Sequence, residues 1–335
     1  MQIFVYESLC AGAVGHSSES LLREGRAMLS AIVADFQQIP AVEVVTLLDE
    51  QTPFELGDRC VRTAASDERA RFCELAGKAD WTMVIAPEFG DMLRQRSQDV
   101  LDAGGRLLGS SPDAIVLAGD KFALANHFKL SGISHPKTEL VDSEMYKRKR
   151  CPFILKPRHG AGSQATFLVP KASEKMRIWA EACREWPEND FIVQNIVKGR
   201  AASVAVLSGV EDFFVLHPAW QIISNDGRFR YRGGVVPIEG APAISAQIIG
   251  EIVADFMDEL RGFFGIDMIF GSAGAVVIEI NPRLTTSYIG LRRLCRDNLA
   301  LAILRLAMGE DIGEFRWTDE TISFNADGKV SVLKT

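Results

Sequence analysis

Apolar residues in the first hundred positions come in two alternating textures. Short runs have the length and β-branched content of buried strands: IFVY from Ile3, VEVVTLL from Val42, WTMVIAP from Trp81 and RLLG from Arg106. Between them lie longer segments with apolar residues at helical spacing, from about Glu19 to Phe36, Asp67 to Ala79 and Asp91 to Ala103. Strands alternating with helices predict a parallel sheet covered on both faces, an N-terminal α/β lobe over residues 1–115. Ligands of such sheets sit beyond the carboxyl ends of the strands. Glu7-Ser8 and Pro87-Glu88 each follow a strand run directly and are candidate rim residues. Ser8 reads at least as well as a loop start or cap, and for Glu7 and Glu88 the two readings are even.

After Gly119 the rhythm changes. A helix is expected from about Lys121 to Leu130, ending at Gly132, with a strand opening at Pro136-Lys137-Thr138. PFILKP, a glycine-rich turn, the strand ATFLVP, an amphipathic helix near Ala172 to Glu185 and FIVQNIV follow. From Ala201 the chain is strand-rich (ASVAVLSG, DFFVLHPAWQII, FRYRGGVVPI). A helix is expected from about Ser245 to Phe263, then the hairpin GIDMIFGSAGAVVIEIN, then a helix near Asp297 to Met308. Mixed strands with segregated helices predict two consecutive α+β lobes, 116–195 and 196–335.

Composition narrows the function. Hydrophobic residues make up 47% of the 335-residue chain and charged residues 24%, the balance of an ordinary globular protein. A net charge of −7 argues against a general nucleic-acid partner, while leaving room for a local basic pocket that holds a polyphosphate. The basic run Lys147 to Arg150 reads as a solvated loop. The six cysteines are scattered without a C-x-x-C pair, as in reduced cytoplasmic proteins. The chain opens on a strand-like run without a charged leader, and no apolar stretch approaches the roughly 20 residues of a membrane helix. The expected setting is cytoplasmic, with no membrane and no nucleic acid as partner and with a homodimer left open.

The strongest local signal is the hairpin. If Ser272 to Gly274 form a three-residue loop, Gly274 supplies the left-handed position and Asp267 pairs directly with Glu279. Paired residues share a face, and Asn281 shares it by the two-residue strand period. Like charges that close are destabilising unless a cation lies between them, and hard oxygen ligands suit Mg²⁺ shared with phosphates. On the hairpin alone, a structural salt bridge to Arg283 or Arg292 explains the carboxylates equally well.

Candidate phosphate ligands precede it. Lys156 ends an apolar run, where an unpaired ammonium is costly to bury, so an anion is expected beside it. The following Gly160-Ala161-Gly162-Ser163 reads as a flap whose backbone N–H groups can approach phosphates closely. It is not a Walker loop, because G-x-x-x-x-G-K-[ST] is absent. Lys121 opens a helix, a second place for an anion, although alone it reads as a surface lysine. His159 reads as a loop residue. Gln194 and Asn195, in the connection between the lobes, can face an adenine edge or simply end a strand.

Taken together, Asp120-Lys121, Lys156 with its flap, the Gln194 hinge, Asp267 and Glu279-Ile280-Asn281-Pro282-Arg283 resemble the ATP-grasp superfamily over nearly the whole chain. More narrowly, EGRAML (from Glu24), APE (from Ala86), GDK, GIDMIF and EINPRLTTSYIG are similar to the branch of the tyramine–glutamate ligases, which act in the assembly of methanofuran-type cofactors. The resemblance implies an α/β lobe followed by the two lobes of an ATP-grasp fold. It implies ATP held by Lys121 and Lys156 under the flap, with one or two Mg²⁺ ions, or Mn²⁺ in their place, on Asp267, Glu279 and Asn281. It implies a carboxylate and an amine as small-molecule substrates, joined through an acyl phosphate with release of ADP. Arg283 is then the candidate to steady the acyl-phosphate oxygens, and Thr285, Thr286 and Ser287 line the acceptor pocket unless they only cap a turn. The pattern also departs from the family. No glutamate follows the hinge at Gly199-Arg200-Ala201 to hold the ribose, Asn195 stands where many members have glutamate, and Gly265 stands where dipeptide ligases have arginine. A ligase for other partners, or a Mg·ATP-binding regulatory protein without turnover, is the alternative; the intact Asp267, Glu279, Asn281 and Arg283 speak against the latter.

Overall fold

The computed structural model describes residues 1–13, 19–272 and 274–333. In chain order the first lobe carries β1 (Gln2–Glu7), α1 (Glu19–Phe36), β2 (Glu43–Asp49), β3 (Arg59–Thr63), α2 (Glu68–Lys78), β4 (Trp81–Ile85) and α3 (Met92–Asp102). Its four strands form a parallel sheet in the order β3-β2-β1-β4. The predicted α/β lobe is therefore present, and α1 has the expected bounds. RLLG, expected as a strand, contributes only a bridge from Leu107 to Thr82. β3 was missed because RCVRT has too few apolar residues to announce a strand; three of its five positions are only half-buried.

The next segment carries α4 (Pro112–Gly119), α5 (Lys121–Leu130), β5 (Thr138–Val141), α6 (Ser143–Arg148), β6 (Phe153–Pro157), β7 (Phe167–Val169), α7 (Lys175–Glu185) and β8 (Phe191–Gln194). Helix α4 spans the join expected at residues 115 and 116; Ser111 caps it by accepting from the Ala114 N–H, ahead of Pro112. The basic run expected as a loop lies partly in α6. The four strands pair antiparallel in the order β5-β8-β6-β7 around a separate core that includes Tyr146, Phe153, Phe167, Ile178 and Phe191.

The remainder carries β9 (Arg200–Ser208), β10 (Phe213–Val215), β11 (Ala219–Ile223), β12 (Tyr231–Val236), α8 (Ala241–Phe256), β13 (Gly262–Gly271), β14 (Gly274–Asn281), α9 (Ser287–Leu294), α10 (Leu299–Ala307), β15 (Thr321–Asn325) and β16 (Val330–Leu333). They build a mainly antiparallel sheet ordered β14-β13-β9-β11-β12-β15-β16, with β10 pairing β9. Helix α8 starts and ends earlier than the expected Ser245 to Phe263. Pro242 suits its first turn, and Gly262 to Phe264 are taken by a strand ladder between β9 and β14, which satisfies backbone groups on both sides.

The first and last lobes share one core. Met28, Leu29, Ile32 and Phe36 on one face of α1 pack with Tyr288, Leu291, Leu299 and Ile303 of α9 and α10. A buried polar tie reinforces it: Asp35 accepts from the Tyr288 hydroxyl at 2.6 Å and from Arg292 Nε at 2.8 Å. The strand that carries the site is thus held on a fixed platform, and the lobe of β5 to β8 packs around a core of its own.

Gly199, where the chain enters β9, has no room for a side chain: a Cβ there would sit 2.2 Å from the Phe270 carbonyl oxygen. Gly199→Ala is expected to destabilise by about 1–3 kcal/mol, as overpacking does. A fall in the urea midpoint checks this; an unchanged midpoint means the crossing of the hinge over β13 is not tight.

Candidate active site

Asp267 and Glu279 face each other across the β13–β14 ladder, with Gly265 opposite Asn281. The pairing is as expected, but the route differs. Gly271 pairs with Gly274, so the connecting loop is shorter than three residues, and a bulge between Asp267 and Met268 restores the offset. Ile278 is the one extra residue on β14, and such an insertion bends the bulged strand. Gly274 does take a positive φ of 107°. Ala273 lies outside the described residues.

Neither carboxylate forms an ion pair with Arg283 or Arg292. Arg283 pairs with Glu88, Nε to Oε1 at 3.0 Å, and Arg292 pairs with Asp35. The cations beside Glu279 are lysines: its Oε2 lies 3.8 Å from Lys121 Nζ and 4.0 Å from Lys156 Nζ. Asp267 instead accepts from Gln221 Nε2 at 2.8 Å and from Asn281 Nδ2 at 3.1 Å. Gln221 was not singled out in the sequence, because the alternation AWQII gives it no distinguishing context; only the pairing of β11 with β9, and of β9 with β13, brings it over Asp267.

Local structure explains why the lysines converge. Asp120 caps α5 through the N–H groups of Phe122 and Ala123, and also accepts from Arg158 Nε at 2.8 Å. The Lys121 N–H donates to the Arg158 carbonyl at 3.1 Å, and its ammonium bonds the Gly160 carbonyl. The start of α5 is thereby fastened to the base of the flap. Lys156, two residues before Arg158, is buried on β6.

These charges are poorly satisfied by one another. Burial pushes Lys156 down to about 8 despite the nearby Glu279. Burial and the Glu279 charge push Asp267 up to about 7. Burial also acts to raise Glu279, but Lys121, Lys156 and Arg283 outweigh it and hold its carboxyl below the usual range. Such an arrangement is complementary to a divalent cation at the carboxylates and an anion at the lysines. Two carboxylates and the Asn281 amide on one face fit Mg²⁺, and the lysines with the flap fit a polyphosphate.

The cluster lies in a cleft of about 300 Å³. Gly160, Gly162 and Ser163 line it, the last two with left-handed backbones at φ of 62° and 60°, and Ser163 Oγ donates to the Phe229 carbonyl at 2.7 Å. Gln194 and Asn195 line it as well. Gln194 Nε2 is already committed to Thr138 Oγ1 at 2.9 Å, and the Asn195 N–H to the Lys137 carbonyl at 3.1 Å. Pro136, Ile154, Ile196, Val197 and Ile269 give this side an apolar wall that was not read from the sequence, since isolated apolar residues in a strand end carry no signal of a ligand. His159 bonds Asp190 at 2.6 Å outside the cleft lining.

Arg283, Thr285, Thr286 and Ser287 also line the cleft, and Thr285 and Ser287 bond each other through their hydroxyls at 2.8 Å. Thr286 stands at the start of α9 without a side-chain cap bond. Glu7 and Glu88 are not among the lining residues. Glu88 lies behind as the partner of Arg283. Glu7 is buried, accepts from the Cys10 N–H at 2.7 Å, and has its carboxyl pushed up to about 6 by that burial. Glu24 and Met28 of α1 reach the cleft wall although only the motif around Glu24 was noticed.

A strand hairpin with two carboxylates, two converging lysines and a glycine flap between α+β lobes defines a nucleotide-binding grasp. The chain belongs to the ATP-grasp family: the ATP-grasp domain matches residues 118–287, and the pre ATP-grasp 3 domain matches residues 42–115. It is similar to tyramine–L-glutamate ligase of Methanocaldococcus fervens, 24% identical over 307 residues that cover 90% of this chain and 92% of that protein. It is also similar to D-alanine–D-alanine ligase of Petrotoga mobilis, 28% identical over 187 residues covering 52% and 61% of the two chains. Among solved structures, an ATP-grasp superfamily protein from Archaeoglobus fulgidus superposes with a TM-score of 0.71 at 23% identity, covering 96% of this chain and 92% of that one. No helix among the described residues is long and apolar enough to cross a membrane.

The raised Asp267 fixes the sign of a pH dependence. Between its unfolded value near 4 and about 7 the folded protein binds the extra proton, so this group's contribution to stability falls as pH rises through that window. In the metal-free protein, Asp267→Asn should therefore raise the urea midpoint relative to the parent at pH 8 and lose most of that advantage at pH 5. A difference independent of pH would contradict the arrangement.

Proposed function

We propose that this chain is an ATP-dependent, ADP-forming carboxylate–amine ligase that works through an acyl phosphate and joins glutamate to tyramine or tyrosine in methanofuran-like cofactor synthesis. The observation that carries the ligase reading is the convergence of Lys121 and Lys156 on Glu279, in one cleft with Asp267, Asn281 and the flap. The choice of substrates rests on the end-to-end similarity to tyramine–L-glutamate ligase. In this reading the three lobes meet near residues 115 and 195, and the enzyme is cytoplasmic, as its free cysteines suit.

Lys121 and Lys156 hold the α- and β-phosphates of ATP, and the backbone of Gly160 to Ser163 closes over them. Asp267, Glu279 and Asn281 would hold Mg²⁺, and the ion would supply charge neutralisation for the phosphates. The apolar wall at the hinge receives the adenine. With no acidic side chain after Gly199, the ribose is held by other groups, and Arg200 follows directly. The donor carboxylate attacks the γ-phosphate, ADP leaves, and the amine then displaces phosphate to form the amide. Arg283 steadies the acyl-phosphate oxygens with the guanidinium N–H groups that Glu88 and Leu284 leave unused. Closure of the flap keeps water away from the acyl phosphate.

ADP release followed across amino acids and aromatic amines tests this. Release should require glutamate and tyramine or tyrosine together; turnover with an unrelated pair and none with glutamate would remove the substrate assignment. Glu279→Gln should lower turnover by about 100-fold or more while the protein stays folded, as loss of a charge aimed at the reacting centre does. Unchanged activity in that variant would remove the metal assignment.

A further inference from the structure

The cleft has a polarity along β13. Its hinge end is marked by Gly199, whose crossing lies against Ile269 and Phe270, and the other end by Gly265, which lies against Thr285. Asp267 sits between, so the two ends are separated by about 15 Å of strand. At the second end Arg283 is the cation, and the carboxylates of Glu88, Glu24 and Glu7 all act on it. Glu88 is committed to Arg283, and Glu7 to the backbone after β1. Glu24 lines the cleft and has neither a hydrogen bond nor an ion pair with any described residue. Its carboxyl is pushed up to about 7 by burial, with Arg283 and Arg23 acting against the rise and Asp327 with it.

The surroundings of Glu24 are specific. Gly25 brings α1 against Glu7, since a Cβ there would fall 2.5 Å from the Glu7 carboxyl carbon. The helix therefore lies close against the end of β1 at that end of the cleft. Met28, one turn on from Glu24, shares its face and lines the cleft, as do Tyr231 and Phe229. The Tyr231 phenol is close enough to Glu24 for the carboxylate charge to act on it. A carboxylate without a partner, in a cleft that Met28, Phe229 and Tyr231 also line, is complementary to an ammonium carried on an aromatic group. It is a poor match for a second carboxylate.

We propose that Glu24 is the counter-ion of the amine substrate, holding its ammonium at the Arg283 end of the cleft while Met28, Phe229 and Tyr231 enclose the aromatic body. This rests on the ligase reading for the amine's later fate and adds the residues that select it. It places the amine beside Arg283, and so beside the carbonyl it must attack. It also explains why a ligase that binds a polyphosphate would keep an uncompensated acid in the same cleft.

The test is calorimetric titration of tyramine, and of tyrosol as its neutral isostere, into the parent protein and Glu24→Gln in the presence of Mg·ADP, alongside ADP-release kinetics. Glu24 makes no bond that the fold needs, so the variant should melt with the parent near pH 5 and no lower than the parent at pH 8, where the buried charge is removed. Loss of the charge-assisted contact should weaken tyramine about tenfold or more and erase the preference over tyrosol. The KM for ATP and for the carboxylate donor should stay within about twofold, because Glu24 is assigned a contact with neither of them. Equal tyramine binding by both proteins, no tyramine binding by the parent, or a rise confined to the donor KM would each overturn the assignment. Tyramine binding that depends on Glu24 without any ADP release would keep the pocket and remove the ligase reading instead.

Discussion

One constraint organises the molecule: two carboxylates are brought face to face by a strand register in a place where water cannot fully compensate them. Asp267 and Glu279 are directly opposed on β13 and β14. The hydrophobic residues that alternate with them, Ile266, Met268, Val277 and Ile280, are buried in one core and fix that register. The bulge at the hairpin allows a tight loop and the carboxylate pairing together. Lys121 and Lys156 offset part of the repulsion but remain near 4 Å from Glu279, so the cluster is held together by the fold and not by its own attraction.

The fold can hold such a cluster because its carriers belong to two differently anchored bodies. Asp267, Glu279 and Asn281 ride on a sheet whose core is continuous with that of the first lobe, tied by Asp35, Tyr288 and Arg292. Lys156 and the flap ride on a small sheet with its own core. The link between the bodies is polar: Asp120 caps α5 and takes Arg158, and Lys121 reaches the Gly160 carbonyl. Opening of the flap lobe would need to break these bonds and those to the β11–β12 connection, where Ser163 Oγ donates to the Phe229 carbonyl, the Leu168 N–H to the Gly227 carbonyl, and Arg228 to Glu185 and the Thr166 carbonyl.

Much of this was legible in the chain. The alternation of strands and helices over the first hundred residues, the bounds of α1 and α5, and the facing of Asp267 and Glu279 follow from periods of 3.6 and 2 and from glycine positions. The errors came where two patterns compete. Residues 257–263 continue a helical pattern, but the ladder between β9 and β14 claims Gly262 and Phe263 as strand. Partners set by tertiary geometry were out of reach: Arg283 was open to pairing with the metal carboxylates, and only the packing of the first lobe brings Glu88 to it. The same holds for Gln221 over Asp267, and for Glu24, whose role depends on where α1 crosses the cleft. Glu7 and Glu88 follow strands as rim residues do, yet Glu7 is buried and Glu88 is taken up by Arg283.

The two ends of the cleft differ in character, apolar at the hinge and acidic around Arg283, with Asp267, Glu279 and Asn281 between them. An enzyme that must hold a nucleotide, a carboxylate and an amine in a line needs such a gradient. The central claim is that the half-buried cluster of Asp267, Glu279 and Asn281 takes a divalent ion together with a polyphosphate. Calorimetric titration of a non-hydrolysable ATP analogue, with Mg²⁺ and with chelator, tests it most directly. The account predicts at least about tenfold tighter binding with Mg²⁺, because the ion removes the repulsion between the carboxylates and the phosphates. Equal affinity with and without the metal would contradict it.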